Sequence, residues 1–195
     1  MWNERYAEEG FAYGSEPNDF VAEVTRALSP GRALDLAGGE GRNAVYLAGL
    51  GHHVLIVDGS RVGLAKAKQF AAQKSLSIET LEADLAAWSP EPASCDLIVS
   101  SWAHVPPAVR RTLHAACVRA LRPGGHFVLE AYTPEQITRA TGGPRDPSLC
   151  MTAAALREEL AGLEVHVARE LERHVSEGKY HQGMSSVVQF HAQKS

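Results

Sequence analysis

The chain has 195 residues, 45% of them hydrophobic and 22% charged, which is the balance of an ordinary globular protein with a full core. Nineteen Lys and Arg against 23 Asp and Glu give a net charge of −4, which argues against a protein whose main task is to bind a nucleic-acid backbone. No apolar run approaches the ~18 residues of a membrane helix, the start MWNERYAEEG has no signal-peptide core, and three cysteines without C-x-x-C spacing favour a cytoplasmic protein with no metal site.

Segments typical of helices and strands alternate along the chain. The predicted strands are RALDLA (32–37), HHVLIVD (52–58), LSIETLEAD (76–84), CDLIVSS (95–101), HFVLEAY (126–132), LEVHVARELE (163–172) and SSVVQFHA (185–192). The predicted helices are DFVAEVTRAL (19–28) after a cap at Asn18, NAVYLAGLG (43–51), RVGLAKAKQFAAQK (61–74), the proline-opened PPAVRRTLHAACVRAL (106–121) and a segment near 152–161.

This alternation predicts a three-layer α/β fold of the Rossmann-like type. Strands joined through helices form right-handed crossovers and a mostly parallel sheet that is covered on both faces. The last two strands have no helix between them, so we expect an antiparallel pair at one edge. We expect a single domain over 1–195, with an N-terminal lid and helix segment at 1–30 and the core at 31–195.

The loop after the first strand is compatible with two classes of ligand. GEGRNA fits the dinucleotide pattern G-x-G-x-x-A, and Asp58 follows Gly41 by 17 residues. However, Asp35 stands just before the turn, where a diphosphate needs N–H donors and no carboxylate. S-adenosylmethionine brings no phosphate but does bring a sulfonium, an ammonium and a ribose diol, which suits acids at the ends of successive strands.

Each strand end supplies a candidate cofactor contact. The loop from Ala37 to Gly41 can approach a ligand closely, because Gly39 and Gly41 have no Cβ. Asp58, followed by Gly59, can accept both ribose hydroxyls. Asp84 can accept the adenine amino group while the N–H of Leu85 meets a ring nitrogen, and Ser100 ends the fourth strand.

The chain resembles the class I S-adenosylmethionine-dependent methyltransferases, whose first motif reads D-x-G-x-G-x-G. More narrowly, it is similar to the small bacterial methyltransferases grouped with the tellurite-resistance methyltransferase. The stretches in that style are YGSEPNDF, GEGRNAVYLA, VGLAKAK, LRPGGHFVLEAYTPEQ, TGGPRD and EGKYHQG. The resemblance implies a seven-stranded sheet whose last strand is antiparallel, S-adenosyl-L-methionine as cofactor, and an N-terminal segment that covers the site, with Tyr6 or Tyr13 touching the cofactor.

One residue departs from the motif. Ala37 replaces the first glycine, and its Cβ disfavours a positive φ. Either the backbone is ordinary at this position or the cofactor shifts slightly, and we expect weaker binding at worst.

Several of these residues could instead have a structural role. Asp35, Asp58 and Asp84 could instead accept loop N–H groups or cap the helices and turns that follow them. His104, after the fourth strand, and His181, in the turn between the last two strands, are candidate general bases. Alternatively, His104 could satisfy loop carbonyls, and the hairpin turn could be a solvated one.

We expect methyl transfer by in-line displacement to a small soft acceptor, a thiol or a chalcogen oxyanion. A base is needed only if the acceptor keeps its proton near neutral pH. The alternatives are an RNA or protein methyltransferase, a non-catalytic S-adenosylmethionine-binding protein and, as the weakest, an NAD(P)-binding module. We expect no nucleic-acid partner and a monomer or weak homodimer.

Overall fold

The computed structural model describes residues 2–195. The helices are α1 Trp2–Tyr6, α2 Asp19–Thr25, α3 Arg42–Gly49, α4 Arg61–Gln73, α5 Pro107–Ala120 and α6 Ala153–Glu159, with short 3-10 helices at Pro134–Thr138 and Pro147–Leu149. The strands are β1 Arg32–Leu36, β2 His53–Asp58, β3 Glu79–Glu82, β4 Cys95–Ser101, β5 Leu121–Tyr132, β6 Leu163–Glu177 and β7 His181–Lys194.

The seven strands form one sheet in the order β3-β2-β1-β4-β5-β7-β6. The pairs from β3 to β5 are parallel, and β7 runs antiparallel to both β5 and β6. The predicted fold class is therefore confirmed, including the antiparallel last strand. Since the carboxyl ends of parallel strands meet at one edge, the loops after β1, β2, β3 and β4 lie together there.

Alternating strand residues build a core on each face of the sheet. Leu34 and Ile98 face the layer of α5 and α6. Ala33 and Leu97 face the layer of α2, α3 and α4. The helices run close to their predicted bounds because their signals are local: Asn18 caps α2 by accepting from the N–H of Val21, and prolines open α5.

Several elements differ from prediction. The strand β3 keeps only four residues at the exposed edge of the sheet. The helix α1 was not predicted, and five residues carry too little periodicity to show one. The last two strands extend to Glu177 and His181, because ladder pairing between them continues past the apolar pattern. Within 2–195, no helix is both long and apolar enough to cross a membrane.

Candidate cofactor and acceptor site

The loop between β1 and α3 is shaped by left-handed backbone. Ala37 has φ +52°, Gly39 has φ +53° and Gly41 has φ +84°. A Cβ on Gly41 would lie 2.6 Å from the Cβ of Ala67 in α4, so that glycine is needed for close packing. The backbone at Ala37 is therefore not ordinary: alanine adopts the conformation that the motif glycine would adopt without strain.

Asp35 is buried beneath this loop without a partner. Its side chain is 1% exposed, and within residues 2–195 neither carboxylate oxygen forms a hydrogen bond. Burial raises its pKa to about 7; the charge of Asp58 adds to this, while the charge of Arg42 and the nearby backbone N–H of Ala44 oppose it. A buried carboxylate without a well-formed hydrogen bond is costly. This site is therefore suited to a proton or to a cationic group of a ligand.

Asp58 holds the loop in place. Its Oδ2 accepts from the N–H of Gly39 at 2.9 Å and its Oδ1 from the N–H of Ser60 at 2.7 Å. Burial raises its pKa although both hydrogen bonds oppose the shift. Asp58 therefore has the structural role considered for it, as an acceptor of loop N–H groups. A carboxylate oxygen can accept a second hydrogen bond, so a ribose contact beside Gly59 is compatible with this geometry.

The remaining predicted cofactor contacts lie at the ends of β3 and β4. Asp84 is exposed, and its Oδ1 accepts from the N–H of Ala86 at 2.9 Å, so it caps the turn after β3. Leu85 in that turn packs against the core. Ser100 is buried, and the Oγ of the neighbouring Ser101 has no hydrogen-bond partner within residues 2–195.

Residues 2–14, which we call the N-terminal strap, lie over the ends of β1 and β2. Tyr6 is buried against the loop, and a Cβ on Gly39 would lie 2.5 Å from its hydroxyl oxygen. The Oδ1 of Asn3 accepts from the Oγ of Ser60 at 2.7 Å. The strap therefore covers the end of β2, where the ribose contact is expected.

The far end of the strap reaches the β6–β7 turn. The N–H of Ala12 donates to Glu40 of the glycine loop at 2.7 Å, and its carbonyl accepts from the N–H of Lys179 at 2.9 Å. Tyr13 lies with its ring centroid 4.6 Å from that of His181. One segment thus connects the cofactor loop with the hairpin that carries a candidate base.

His104 has a structural role. Its Nδ1 lies 2.9 Å from the carbonyl oxygen of Leu149, and its Nε2 accepts from the N–H of Tyr132 at 3.3 Å. These two contacts fix a neutral tautomer with the proton on Nδ1, and burial lowers the pKa of His104 to about 4. With both nitrogens engaged by backbone, His104 fits the loop-satisfying role and not that of a base.

His181 is buried with its Nδ1 unbonded by any residue of 2–195. Glu177 Oε2 lies 3.8 Å from that nitrogen, which is too far for a hydrogen bond. The rings of Trp102 and Tyr132 lie 5.0 and 5.3 Å from it by centroid. Burial lowers the pKa of His181, while Glu177 acts in the opposite direction. The imidazole is therefore neutral near pH 7, and its Nδ1 faces the carboxylate of Glu177 without a close hydrogen bond.

Two buried carboxylates tie the acceptor side together. Glu177 accepts from the Nε1 of Trp102 at 2.6 Å, and Glu130, which is fully buried, accepts from Gln189 at 2.6 Å. Both also accept from Asn18, and both pair with Arg173. Arg42 completes the network by donating to Glu177 at 2.5 Å.

This network was not predicted from the sequence. One signal was available, because Glu130 is a charged residue inside the otherwise apolar strand HFVLEAY. A buried acid in a central strand needs partners. Its partners Asn18, Arg173 and Gln189 come from three distant stretches that no spacing rule connects.

Comparisons with known proteins agree with this architecture. Residues 33–125, from β1 into β5, match the family described as Methyltransferase domain. The chain is 35% identical over 108 residues to the tRNA 5-carboxymethoxyuridine methyltransferase of Escherichia coli K12, covering 52% of this chain and 40% of that protein. It is 26% identical over 145 residues to the 2-heptyl-1-hydroxyquinolin-4(1H)-one methyltransferase of Mycobacteroides abscessus, covering 73% and 64%. The chain thus spans less than two thirds of either curated relative.

A solved structure extends the likeness across most of the fold. TehB from Haemophilus influenzae has a TM-score of 0.72 and 20% identity, with 90% of this chain and 61% of that chain covered. At that identity the likeness concerns the fold alone. The family match lies on the segment that carries Asp35, the glycine loop and Asp58. The family match and this fold support a class I S-adenosylmethionine-dependent methyltransferase, and the cofactor of that family is S-adenosyl-L-methionine.

Proposed function

We propose that this chain is an enzyme that transfers a methyl group from S-adenosylmethionine to a small-molecule acceptor. The observation that carries the proposal is Asp35, a fully buried carboxylate whose two oxygens have no partner within residues 2–195, directly beneath a loop with left-handed backbone. Such a group requires a cation or a proton. S-adenosylmethionine supplies a methyl group activated by a sulfonium, so the protein's task is orientation and water exclusion.

The residues proposed to hold the cofactor follow the strand ends. Asp35 faces the positive charge, and the backbone from Ala37 to Gly41 lies against the ligand. Asp58 and Gly59 take the ribose through the free lone pairs of the carboxylate. Asp84, Leu85 and Ser100 are proposed to flank the adenine and methionine ends, and Tyr13 in the strap closes over them.

The acceptor is proposed to be a small molecule. The net charge of −4 supports this, and so do the cations Arg173 and Lys179 at the hairpin, which are both paired with carboxylates within residues 2–195. The quinolone methyltransferase from M. abscessus acts on a small molecule by its name. A thiol remains compatible with the site, whereas an oxyanion would need a free cation. We also propose that residues 1–195 fold as one domain, a monomer or weak homodimer.

A second candidate is methylation of RNA. It is supported by the E. coli relative, which by its name acts on a tRNA nucleoside. Binding of tRNA would show the steep salt dependence of phosphate contacts. A mobility-shift titration with total tRNA at 50 and 200 mM salt distinguishes the two candidates, since a small-molecule enzyme shows no shift at either salt concentration.

The proposed function is tested by calorimetric titration with S-adenosylmethionine, S-adenosylhomocysteine and NADH in parallel. Micromolar binding of the first two without NADH binding is expected. NADH binding alone would restore the dinucleotide interpretation of GEGRNA. Binding of S-adenosylmethionine without turnover on any thiol, hydroxyl or oxyanion acceptor would indicate a non-catalytic binding protein.

A further inference from the structure

The acceptor side of the site indicates the chemical class of acceptor. Resting on the proposed function, we propose that the acceptor is an uncharged planar aromatic molecule that carries one hydroxyl or thiol group, and that His181 receives its proton. Three features of the structure lead to this: paired cations, a cluster of aromatic side chains, and a buried imidazole whose Nδ1 no residue of 2–195 hydrogen-bonds.

Cations around the acceptor side are already neutralised or stacked. Arg42 pairs with Glu177, and Lys179 pairs with Glu8 at 3.3 Å. Arg173 pairs with Glu130, Glu177 and Asp19. Arg5 donates to the Tyr13 hydroxyl at 2.6 Å and lies over the Tyr180 ring at 4.5 Å. At Arg42 or Arg173, an anionic acceptor would have to displace a buried carboxylate, which is expensive in a low-dielectric site. A neutral acceptor avoids that cost.

The side chains around His181 are mostly aromatic. Trp102 and Tyr132 lie 4.3 Å apart by ring centroid at an interplanar angle of 32°. The His181 ring meets both nearly edge-on, at 69° and 86°. Tyr13 closes the cluster from the strap. Offset and edge-to-face contacts of this kind favour a flat partner by about 0.5–1.5 kcal/mol per pair beyond burial of its area.

Polar atoms left free in this cluster select a protic acceptor. His181 Nδ1 and the Tyr132 hydroxyl are buried and have no hydrogen-bond partner within residues 2–195. Burial, and then the charge of Glu177, raise the pKa of Tyr132 while the nearby Ser185 hydroxyl opposes them, so the phenol stays protonated and can hold the acceptor atom but not deprotonate it. With both nitrogens of His104 engaged, the imidazole of His181 is the proton acceptor.

Charges around His181 set its capacity as a base. Glu177 favours the imidazolium, while burial, Arg42 and Arg5 disfavour it. Its other neighbours are the phenols of Tyr13 and Tyr132 and the neutral ring of His104. A neutral imidazole beside a carboxylate can take a proton and be stabilised once charged.

The step balances without a further reactant. The proton of the acceptor hydroxyl or thiol moves to the imidazole of His181 as a lone pair of the oxygen or sulfur bonds to the methyl carbon. The carbon–sulfur bond breaks with its electron pair on sulfur, which yields S-adenosylhomocysteine and a neutral methyl ether or thioether. His181 then returns the proton to solvent, and Glu177 stays ionised throughout.

The test compares two naphthyl acceptors at pH 8. 1-Naphthol keeps its proton at this pH and needs a base, whereas 2-naphthalenethiol, bound in its neutral form, is acidic enough to lose its proton without one. We expect methyl transfer to both. His181→Asn should lower kcat/KM for 1-naphthol by about 100-fold or more, the usual scale of a general base, but that for the thiol by less than tenfold. His181→Gln serves as a second variant, and the exposed His53→Asn is the matched control, expected to change neither.

Binding and oxyanion measurements complete the test. Calorimetry should show 1-naphthol binding to the protein–S-adenosylhomocysteine complex. Its failure to bind, or faster methylation of selenite or tellurite than of either naphthyl compound, would overturn the proposal. An equal loss for both naphthyl acceptors in the His181 variants would overturn the role of His181 as base. Failure of the protein to bind S-adenosylmethionine would instead overturn the proposed function itself.

Discussion

The hydroxyl of Tyr6 lies so close to Gly39 that a Cβ added there would sit 2.5 Å from its oxygen and 3.0 Å from the carbon that bears it. This contact joins the N-terminal strap to the loop that Asp58 holds in place. It makes Gly39 necessary for two separable reasons, a φ of +53° and a close approach.

A double-mutant cycle separates the two reasons. Gly39→Ala should destabilise the protein by about 2–3 kcal/mol, through overpacking against Tyr6 and left-handed strain. In the Tyr6→Phe background, where the hydroxyl is gone, the same change should be smaller by about 1 kcal/mol, a coupling typical of residues in contact. Urea unfolding of the four proteins measures this.

Gly10→Ala is the control for that cycle. Gly10 has φ +75°, and a Cβ there would meet nothing within 4 Å, so its substitution reports left-handed strain alone. Its effect should not depend on Tyr6→Phe. If Gly39→Ala has the same effect in both backgrounds, the strap does not pack on the loop in solution.

Replacement of Ala37 by glycine should make the protein more stable. Its φ of +52° is strained for alanine, and relief of such strain outweighs the extra freedom of glycine in the unfolded chain. Ala37→Gly should therefore raise the free energy of unfolding by about 0.5–1 kcal/mol. S-adenosylmethionine affinity should be equal or tighter by calorimetry.

Ala93 provides the matched comparison for this substitution. It also has a positive φ, +50°, but lies in an exposed loop before β4. Ala93→Gly should stabilise the protein without any change in cofactor affinity. A loss of stability in Ala37→Gly would show that the alanine methyl group contributes packing that exceeds its backbone strain.

The fold was predictable from sequence because its signals are local or periodic. The caps of α2, the prolines of α5 and the apolar runs of β1, β2 and β4 each lie within a few residues. The site was less predictable. Asp35 was placed at the right strand end, but nothing in RALDLA shows that its oxygens lack partners.

Contacts between distant segments explain the rest. His104 and His181 appear equivalent in sequence, yet the carbonyl of Leu149 and the N–H of Tyr132 engage only His104. Glu177 meets Arg42 across 135 residues, and no periodicity encodes such a pair. Side-chain partnerships of this kind depend on how the strap, the loops and the hairpin assemble.

Asp35 should make the stability of the protein without cofactor depend on pH. Its pKa is about 7 in the folded protein and 3.8 ordinarily. A group whose pKa is raised on folding contributes its full stabilisation of the folded protein at pH values below its ordinary pKa. This stabilisation is lost as the pH rises through the folded pKa of about 7. Asp35→Asn should therefore be more stable than the parent at pH 8, by on the order of 1–4 kcal/mol, and close to it at pH 4.

Urea unfolding at pH 4, 6 and 8 measures this difference. Exposed Asp146→Asn is the control, because asparagine can also cap the 3-10 helix that Asp146 begins. In the parent protein, S-adenosylmethionine affinity should rise between pH 6 and 8 as Asp35 ionises, and this rise should vanish in Asp35→Asn. An identical pH slope for parent and variant would mean that Asp35 is solvated or paired in solution.

Glu177 should have the opposite pH dependence. Burial would raise its pKa, but the imidazole of His181 and the guanidinium groups of Arg42 and Arg173 hold it well below 4.5. A group whose pKa is lowered on folding stabilises the folded protein at pH values above its ordinary pKa. This stabilisation is lost as the pH falls through the pKa of the folded protein. Glu177→Gln leaves Arg42 buried without its carboxylate and should lower the free energy of unfolding by about 3–5 kcal/mol at pH 7.

The exposed pair of Arg139 and Glu172 is the comparison for that loss. The side chain of Glu172 is 61% exposed, and Glu172→Gln should change stability by less than about 1 kcal/mol. In the unfolded chain, Glu177 becomes protonated as the pH falls below its ordinary pKa of 4.5. The difference in free energy of unfolding between the parent and Glu177→Gln should therefore shrink when urea unfolding is repeated below pH 4. A difference that stays constant down to pH 3 would mean that the amide disturbs packing around Trp102 and not the charge balance, since protonation cannot reverse a change of shape.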